Sequence, residues 1–265
     1  LCYVVCTMRV GSNVATVDLQ LYLRQKTVRR LNRKRSKGER IPFRTKYRIA
    51  RQMLVELAPL LPEGWQVYVQ FDSWYASRRL IKYVRRQGWH ATCGLKSNRR
   101  LDGQRIDYHA QVLRHRWYTR VRVSTADGDE RTYYVRRLDG RLAEVPYDVR
   151  VYFSKRHPRE KSPAYIACTD LACSAKQALQ GYTWRWSCET VNFFLKTQIG
   201  LEDFRVRSHK AVDKYVAVVH LAWAYVEHRF AHERSAQIQT YGDIIRRHRD
   251  EHAIDWLKGA IEMAV

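Results

Sequence analysis

In the segment YTWRWSCETVNFFLKTQIG, residues 182–200, four polar side chains recur at helical spacing: Tyr182, Arg185, Glu189 and Lys196. On a continuous helix turning about 100° per residue they fall at roughly 0°, 300°, 340° and 320°, within a face about 60° wide. One stripe then presents a phenol, two cations and a carboxylate. Val191, Phe193, Phe194 and Leu195 point elsewhere and are expected to anchor the helix in a core. The same spacing also suits a solvated face on which Glu189 is only an ion-pair partner of Arg185 and Lys196. A second carboxylate, Asp72, closes the β-rich run WQVYVQFD. Open α/β sheets place their ligands at the C-terminal ends of strands, where an exposed carboxylate can meet a metal. Asp72 also stands before a helical pattern, so a helix N-cap is the alternative role.

The elements that must position these groups are legible in outline. Residues 1–9 and 14–23 are β-rich runs joined by Gly-Ser-Asn, which predicts a hairpin. Residues 24–51 carry thirteen Lys or Arg against one acid, Glu39, a composition that suits a solvated or disordered loop, a phosphate-binding segment or a localisation signal. The spacing of Ile49, Met53, Leu54, Leu57 and Leu60 predicts an amphipathic helix over 45–60. A strand at 65–72, a helix up to Gly88 and a strand at WHATCGLK give a β-α-β order. Residues 99–163 alternate and are broken by Asp-Gly pairs in DGDE and LDGR, which predicts a mostly-β insertion with turns at those pairs. AYIACTD is a further strand, and helices follow at 174–199, 208–233 and 241–263.

Lys and Arg number 49 against 26 Asp and Glu, a formal net charge of +23. The pI is near 10.1, the electrostatic footprint of a nucleic-acid binder. No apolar run approaches the roughly 18 residues that span a bilayer, and the first residues lack a signal-peptide pattern, so no membrane partner is expected. The chain is expected to be soluble, cytoplasmic and nucleoid-associated. Six cysteines lie mostly in apolar stretches without a CxxC pair, which predicts reduced, buried thiols. The ten histidines form no HExxH motif and are read as ordinary surface or core residues.

The chain resembles bacterial insertion-sequence transposases of the DDE type, in particular the insertion-sequence-four-like group with a Tyr, two residues, Arg, three residues, Glu, six residues, Lys signature. Tyr182, Arg185, Glu189 and Lys196 match that spacing, with Trp186 after the Arg. LYL at 21–23, FDSWYAS at 71–77 and TD at 169–170 also resemble family motifs. The resemblance implies an α/β, ribonuclease-H-like mixed sheet flanked by helices, with a mostly-β insertion and a helical C-terminal region. The implied division is a first core part at 1–98, the insertion at 99–163, a second core part at 164–233 and a helical tail at 234–265. It further implies two divalent metal ions, Mg²⁺ or Mn²⁺, used to cut transposon ends and join them to target DNA. Asp72 and Glu189 would be catalytic metal ligands, and Tyr182, Arg185 and Lys196 would hold DNA phosphates. Double-stranded inverted-repeat ends and target DNA would be the partners, with a homodimer in the synaptic complex.

One departure bears on activity. The family's first catalytic Asp lies on a strand before a hairpin like residues 1–23, and this sequence opens inside the hairpin. Asp18 is the nearest acid, in mid-strand. The sequence is therefore expected to be an N-terminal truncation or a decayed copy, binding DNA without cutting it. A basic RNA- or ribosome-associated protein is the remaining alternative, although nothing resembling an aromatic RNA-recognition motif is present.

Overall fold

The computed structural model describes residues 2–114, 117–124, 128–206 and 208–264. Leu1, at the start of the first expected strand, and Asp127, in the first expected Asp-Gly turn, lie outside the described residues. In chain order the elements begin with β1 (Cys2–Val10), β2 (Asn13–Tyr22), α1 (Gln25–Asn32) and α2 (Lys46–Leu57). They continue with β3 (Tyr68–Phe71), α3 (Arg78–Arg86), β4 (His90–Gly94), β5 (Arg100–Leu101), β6 (Gln104–Arg105) and α4 (Ile106–Leu113). Next come β7 (Thr119–Ser124), β8 (Glu130–Arg141), β9 (Asp148–Lys155) and β10 (Ala164–Cys168). The helices α5 (Ala175–Trp184), α6 (Ser187–Thr197), α7 (His209–Glu233) and α8 (Tyr241–Ala264) complete the order. The chain divides into two compact units, one of residues 1–45 with 187–265 and the other of residues 46–186.

The second unit is a six-stranded mixed sheet ordered β3-β4-β10-β9-β8-β7. β3 and β4 are parallel, linked by α3, and the remaining neighbours are antiparallel. Both faces of its middle are covered, and β9 shows how. Val149, Val151 and Phe153 join one buried cluster with residues of α2, α3 and α4, whereas Tyr152 faces the opposite cluster with Ala178 and Leu179 of α5. The period of two along a strand sends alternate side chains to opposite faces, so a strand buried on both faces reads as continuously apolar. This mixed α/β arrangement is the expected ribonuclease-H-like class.

Residues 99–163 supply β5 to β9 and one helix that alternation did not suggest, α4, in which Ile106 and Ala110 are buried. The expected turn at LDGR is absent, because Asp139 and Gly140 lie inside β8, paired with Arg150 and Val149 of β9. Tertiary packing overrides the turn preference of Asp-Gly. Asp139 forms a two-pronged ion pair with Arg150, and a side chain at position 140 would collide with the Asp102 carboxylate. A different Asp-Gly pair, Asp102-Gly103, does make a turn, joining β5 to β6 with φ of 49° and 81°. Positive φ at both central residues is the type I′ geometry that a two-residue hairpin requires.

In the first unit β1 and β2 form the expected hairpin around Gly11, whose φ is 60°, with a register shift between Cys6 and Thr7. Asp18 sits opposite Cys6 and accepts a hydrogen bond from the Gln20 amide at 2.7 Å. The basic run is not a featureless loop. Its first part is α1, anchored by buried Val28, and Asn32 then clasps Ile41 through two hydrogen bonds of 2.9 Å. None of the six cysteines is in a disulfide; three are buried and three half-buried.

The core of this unit gathers around Trp223 of α7, which is fully buried and stacked on Phe194 at 5.8 Å. Beside it the Glu227 carboxylate accepts the Thr16 backbone N–H at 2.7 Å and the Thr16 hydroxyl at 2.8 Å, tying α7 to β2. Burial raises the Glu227 pKa above its ordinary 4.5, against the lowering effect of those hydrogen bonds. A raised folded-state value means that the unfolded state releases this proton first. The stabilising contribution of the protonated form is therefore complete below pH 4.5 and is lost as pH rises through the folded value. Glu227→Gln is expected to remove that decline, measured as a flatter dependence of urea midpoint on pH from about 4 upward than in the parent chain.

Candidate functional site

The C-terminal ends of the parallel pair β3–β4 organise the site in the second unit. Phe71 pairs with Cys93, so Asp72 and Gly94 follow at the same level of the sheet. Asp72 Oδ1 accepts the backbone N–H of Trp74 at 2.9 Å and of Tyr75 at 3.3 Å, which folds the chain into a tight turn after β3. Oδ2 of Asp72 has no hydrogen bond among the described residues. The helix cap is not Asp72 but Ser77, whose hydroxyl accepts the Leu80 N–H at 3.3 Å at the start of α3. Asp170, from the TD motif, differs in that both its oxygens are engaged. Oδ2 accepts the Tyr68 hydroxyl at 2.6 Å and Oδ1 the Ala172 N–H at 2.9 Å. Thr169 meanwhile accepts the Ala91 N–H at 2.9 Å, so this motif ties β10 to β3 and β4.

Two glycines bring α5 onto these strand ends. A Cβ at Gly181 would meet Gln70 Nε2 at 2.8 Å, and one at Gly94 would meet Tyr182 Oη at 2.5 Å and the Ser73 backbone N at 3.4 Å. Tyr182 thereby comes to rest where the Asp72–Ser73 turn leaves β3. Burial raises its phenol above the ordinary range, Arg185 draws it down, and the charges of Cys93 and Asp72 push it up. The Arg185 guanidinium lies 5.5 Å from the centre of the Tyr182 ring, within cation–π range. Asp72, Tyr182 and Arg185 thus share one neighbourhood. Gly94 was missed in the sequence, although an isolated glycine in a strand is the signal of close backbone approach.

The single helix expected over 174–199 is two helices. Ser174 and Gln177 form a capping box that starts α5. The Thr183 hydroxyl donates to the Gln180 carbonyl at 2.7 Å, the chain turns at Arg185 and Trp186, and Ser187 opens α6. Back-bonding of a Thr hydroxyl to the preceding turn competes with the helix ladder and favours such a break. The shared stripe was calculated for an unbroken helix, and the break removes that premise. Tyr182 lies on α5, Arg185 is its C-terminal cap, and Glu189 and Lys196 lie on α6, which belongs to the first unit. Within α6, seven residues return to nearly the same face, so Glu189 and Lys196 keep a common side. Both are exposed, and Lys196 Nζ pairs with Glu202 at 3.0 Å. Val191 and Leu195 are core residues as expected, whereas Phe193 is 58% exposed.

Divalent Mg²⁺ and Mn²⁺ prefer hard oxygen donors, and the open Oδ2 of Asp72 is one. Among the described residues no group of three or more His, Cys, Asp or Glu side chains could hold a metal ion. Asp72 is thus one donor of the expected set, and a two-metal centre needs further oxygen donors beside it.

The mixed sheet flanked by helices is the ribonuclease-H-like class of fold, with Asp72 at the end of one of its strands. The family model described as the transposase DDE domain matches residues 44–225, more than half of the sequence, and the chain belongs to that family. Transposases of this kind act on DNA in recombination and generally use divalent metals. A comparison with curated proteins gives no match. The matched span contains Asp72, Tyr182, Arg185, Glu189 and Lys196. Among the described residues no helix is long and apolar enough to cross a membrane.

The fit around Gly94 is testable. Gly94→Ala is expected to destabilise the chain by about 1–3 kcal/mol, the usual range for overpacking. Adding Tyr182→Phe should recover part of that loss because it removes the obstructing oxygen. Equal urea midpoints for the single and double variants would contradict the packing.

Proposed function

We propose that this chain is a DDE transposase polypeptide that cleaves and transfers DNA strands at transposon inverted-repeat ends, belonging to the group with the Tyr-Arg-Glu-Lys signature. Asp72 and Glu189 are its metal-binding carboxylates, and Tyr182, Arg185 and Lys196 contact the phosphates of the ends. The observation that carries this reading is the open oxygen of Asp72 at the end of β3, beside Tyr182 and Arg185, in a chain of the transposase DDE family. Arg185 offers a planar fork to a phosphate and Lys196 a point charge. The exposed Lys196–Glu202 pair is worth at most about 1 kcal/mol, so phosphate can take the ammonium at little loss. When bound, divalent metals supply activation of the attacking oxygen and stabilisation of the leaving one. Double-stranded ends and target DNA are the substrates, with a homodimer pairing two ends.

A second reading, DNA binding without cleavage, needs only the basic surface implied by a formal net charge of +23. The two readings separate in a nicking assay on transposon-end duplexes with Mg²⁺ or Mn²⁺. The 265-residue chain is to be compared with a version extended at its N-terminus by a strand bearing an Asp. Cleavage by the active form should disappear in Asp72→Ala and Glu189→Ala while DNA binding persists within a few-fold. Undiminished cutting by either variant would remove that residue from the metal site. Weaker end binding in Arg185→Ala and Lys196→Ala should come with a shallower salt dependence, by roughly one unit of slope for each phosphate no longer neutralised. An unchanged slope would make them surface ion-pair residues only.

A further inference from the structure

Next to the Asp72 turn the second unit holds a pocket of about 250 Å³, lined with cations. Arg78, Lys96 and Arg99 all contribute to it, and Glu144 is the only carboxylate among its lining residues. Ser77 lines it at the N-terminus of α3, a nine-residue helix whose first turn carries no acid. Free N–H groups and the helix dipole favour an anion at such an end. Independently of the helix, the half-buried Arg99 holds Nε and Nη2 without a hydrogen-bond partner among the described residues. Unsatisfied, buried N–H groups are costly, and an anion that a small shift of the side chain brings to them would offset that cost.

An aromatic platform stands at the same pocket. Trp74 is 69% exposed, although a large apolar ring in solvent is unfavourable, and Lys96 Nζ lies 4.3 Å from the centre of the ring. Cations that track a phosphate backbone, beside an exposed aromatic face, are the two parts by which proteins hold unpaired nucleotides. A duplex buries its bases in the stack, so only an unpaired base can present a face to Trp74.

We propose that this pocket binds one nucleotide of an unpaired DNA strand, its phosphate between Arg78, Lys96 and Arg99 and its base stacked on Trp74. The proposal rests on the reading of this chain as a DNA-acting protein, but it needs neither the metal nor Glu189. It gives the site beside Asp72 a preference for a frayed or single-stranded segment over an intact duplex. Ser73 and Trp74, which line the pocket, directly follow Asp72 in the turn, so a strand held here would lie in the neighbourhood of that carboxylate.

The test is fluorescence anisotropy of the full chain with a labelled ten-residue oligothymidylate and with a blunt duplex of the same length, in EDTA. Trp74→Ala should weaken oligothymidylate binding about tenfold, within the range for removal of one base–aromatic stack, and change duplex binding less than twofold. Trp74→Phe should keep most of the affinity, and Lys96→Ala should weaken binding and flatten the salt dependence. Thymidine monophosphate should displace the oligonucleotide only at far higher concentration. Unchanged oligothymidylate affinity in Trp74→Ala, or equal weakening on both DNAs, would overturn the stacking role. Displacement by the mononucleotide at concentrations matching the oligonucleotide would assign the pocket to a free nucleotide instead. Since no metal is present, a negative result here leaves the roles of Asp72 and Glu189 standing, and failure of cleavage leaves this result standing.

Discussion

A side chain at position 94 would occupy the space in which Tyr182 Oη meets the turn after β3, and much of the second unit's site depends on that space being empty. The parallel pairing of β3 with β4 puts Asp72 level with Gly94, and the close approach of α5 puts Tyr182 and Arg185 beside both. Gly181 serves the same purpose one residue earlier, against Gln70. Asp72 and Tyr182, with few rotatable bonds each, are then placed by backbone geometry, which keeps their share of the entropy cost of ligand binding small.

The carboxylates near the strand ends divide by how fully their oxygens are used. Asp170 accepts hydrogen bonds at both oxygens and links β10 to β3 through Tyr68, so it serves the sheet. Burial works against its charge, but the bond from Tyr68 and the backbone donors bring its pKa below the ordinary range. Asp72 spends one oxygen on its own turn and leaves the other open. The same turn directs Trp74 outward and delivers Ser77 to cap α3, so a short segment sets a carboxylate, an aromatic face and a helix N-terminus in succession.

The first unit solves a different problem, the burial of a carboxylate among aromatic rings. Glu227 is accepted in that core because Thr16 supplies two donors to it, and Trp223 Nε1 donates to the Thr16 hydroxyl at 2.9 Å. A buried acid with donors at both oxygens joins the hairpin to α7 at one register, since a slip by one residue would turn Thr16 to the other face. The basic run is anchored comparably, through Val28 and the Asn32–Ile41 clasp, while most of its cations remain in solvent.

By itself the sequence determined the elements whose pattern is local. The hairpin at Gly11, the β-α-β order around Asp72, the strand at 164–168 and the long helices at 209–233 and 241–264 follow from apolar periodicity, glycine positions and capping residues. The signature spacing pointed to the family because it depends only on residue order. Tertiary structure decided what local pattern cannot encode. Asp139-Gly140 stayed in β8 because Arg150 and Asp102 face it, and the expected continuous helix broke at Arg185 and Trp186. Which residue caps α3 was likewise settled only in three dimensions, where Ser77 and not Asp72 takes that place. In each case the outcome depended on which atoms, distant in sequence, arrived to fill a space or accept a proton, and a linear pattern carries no record of such arrivals.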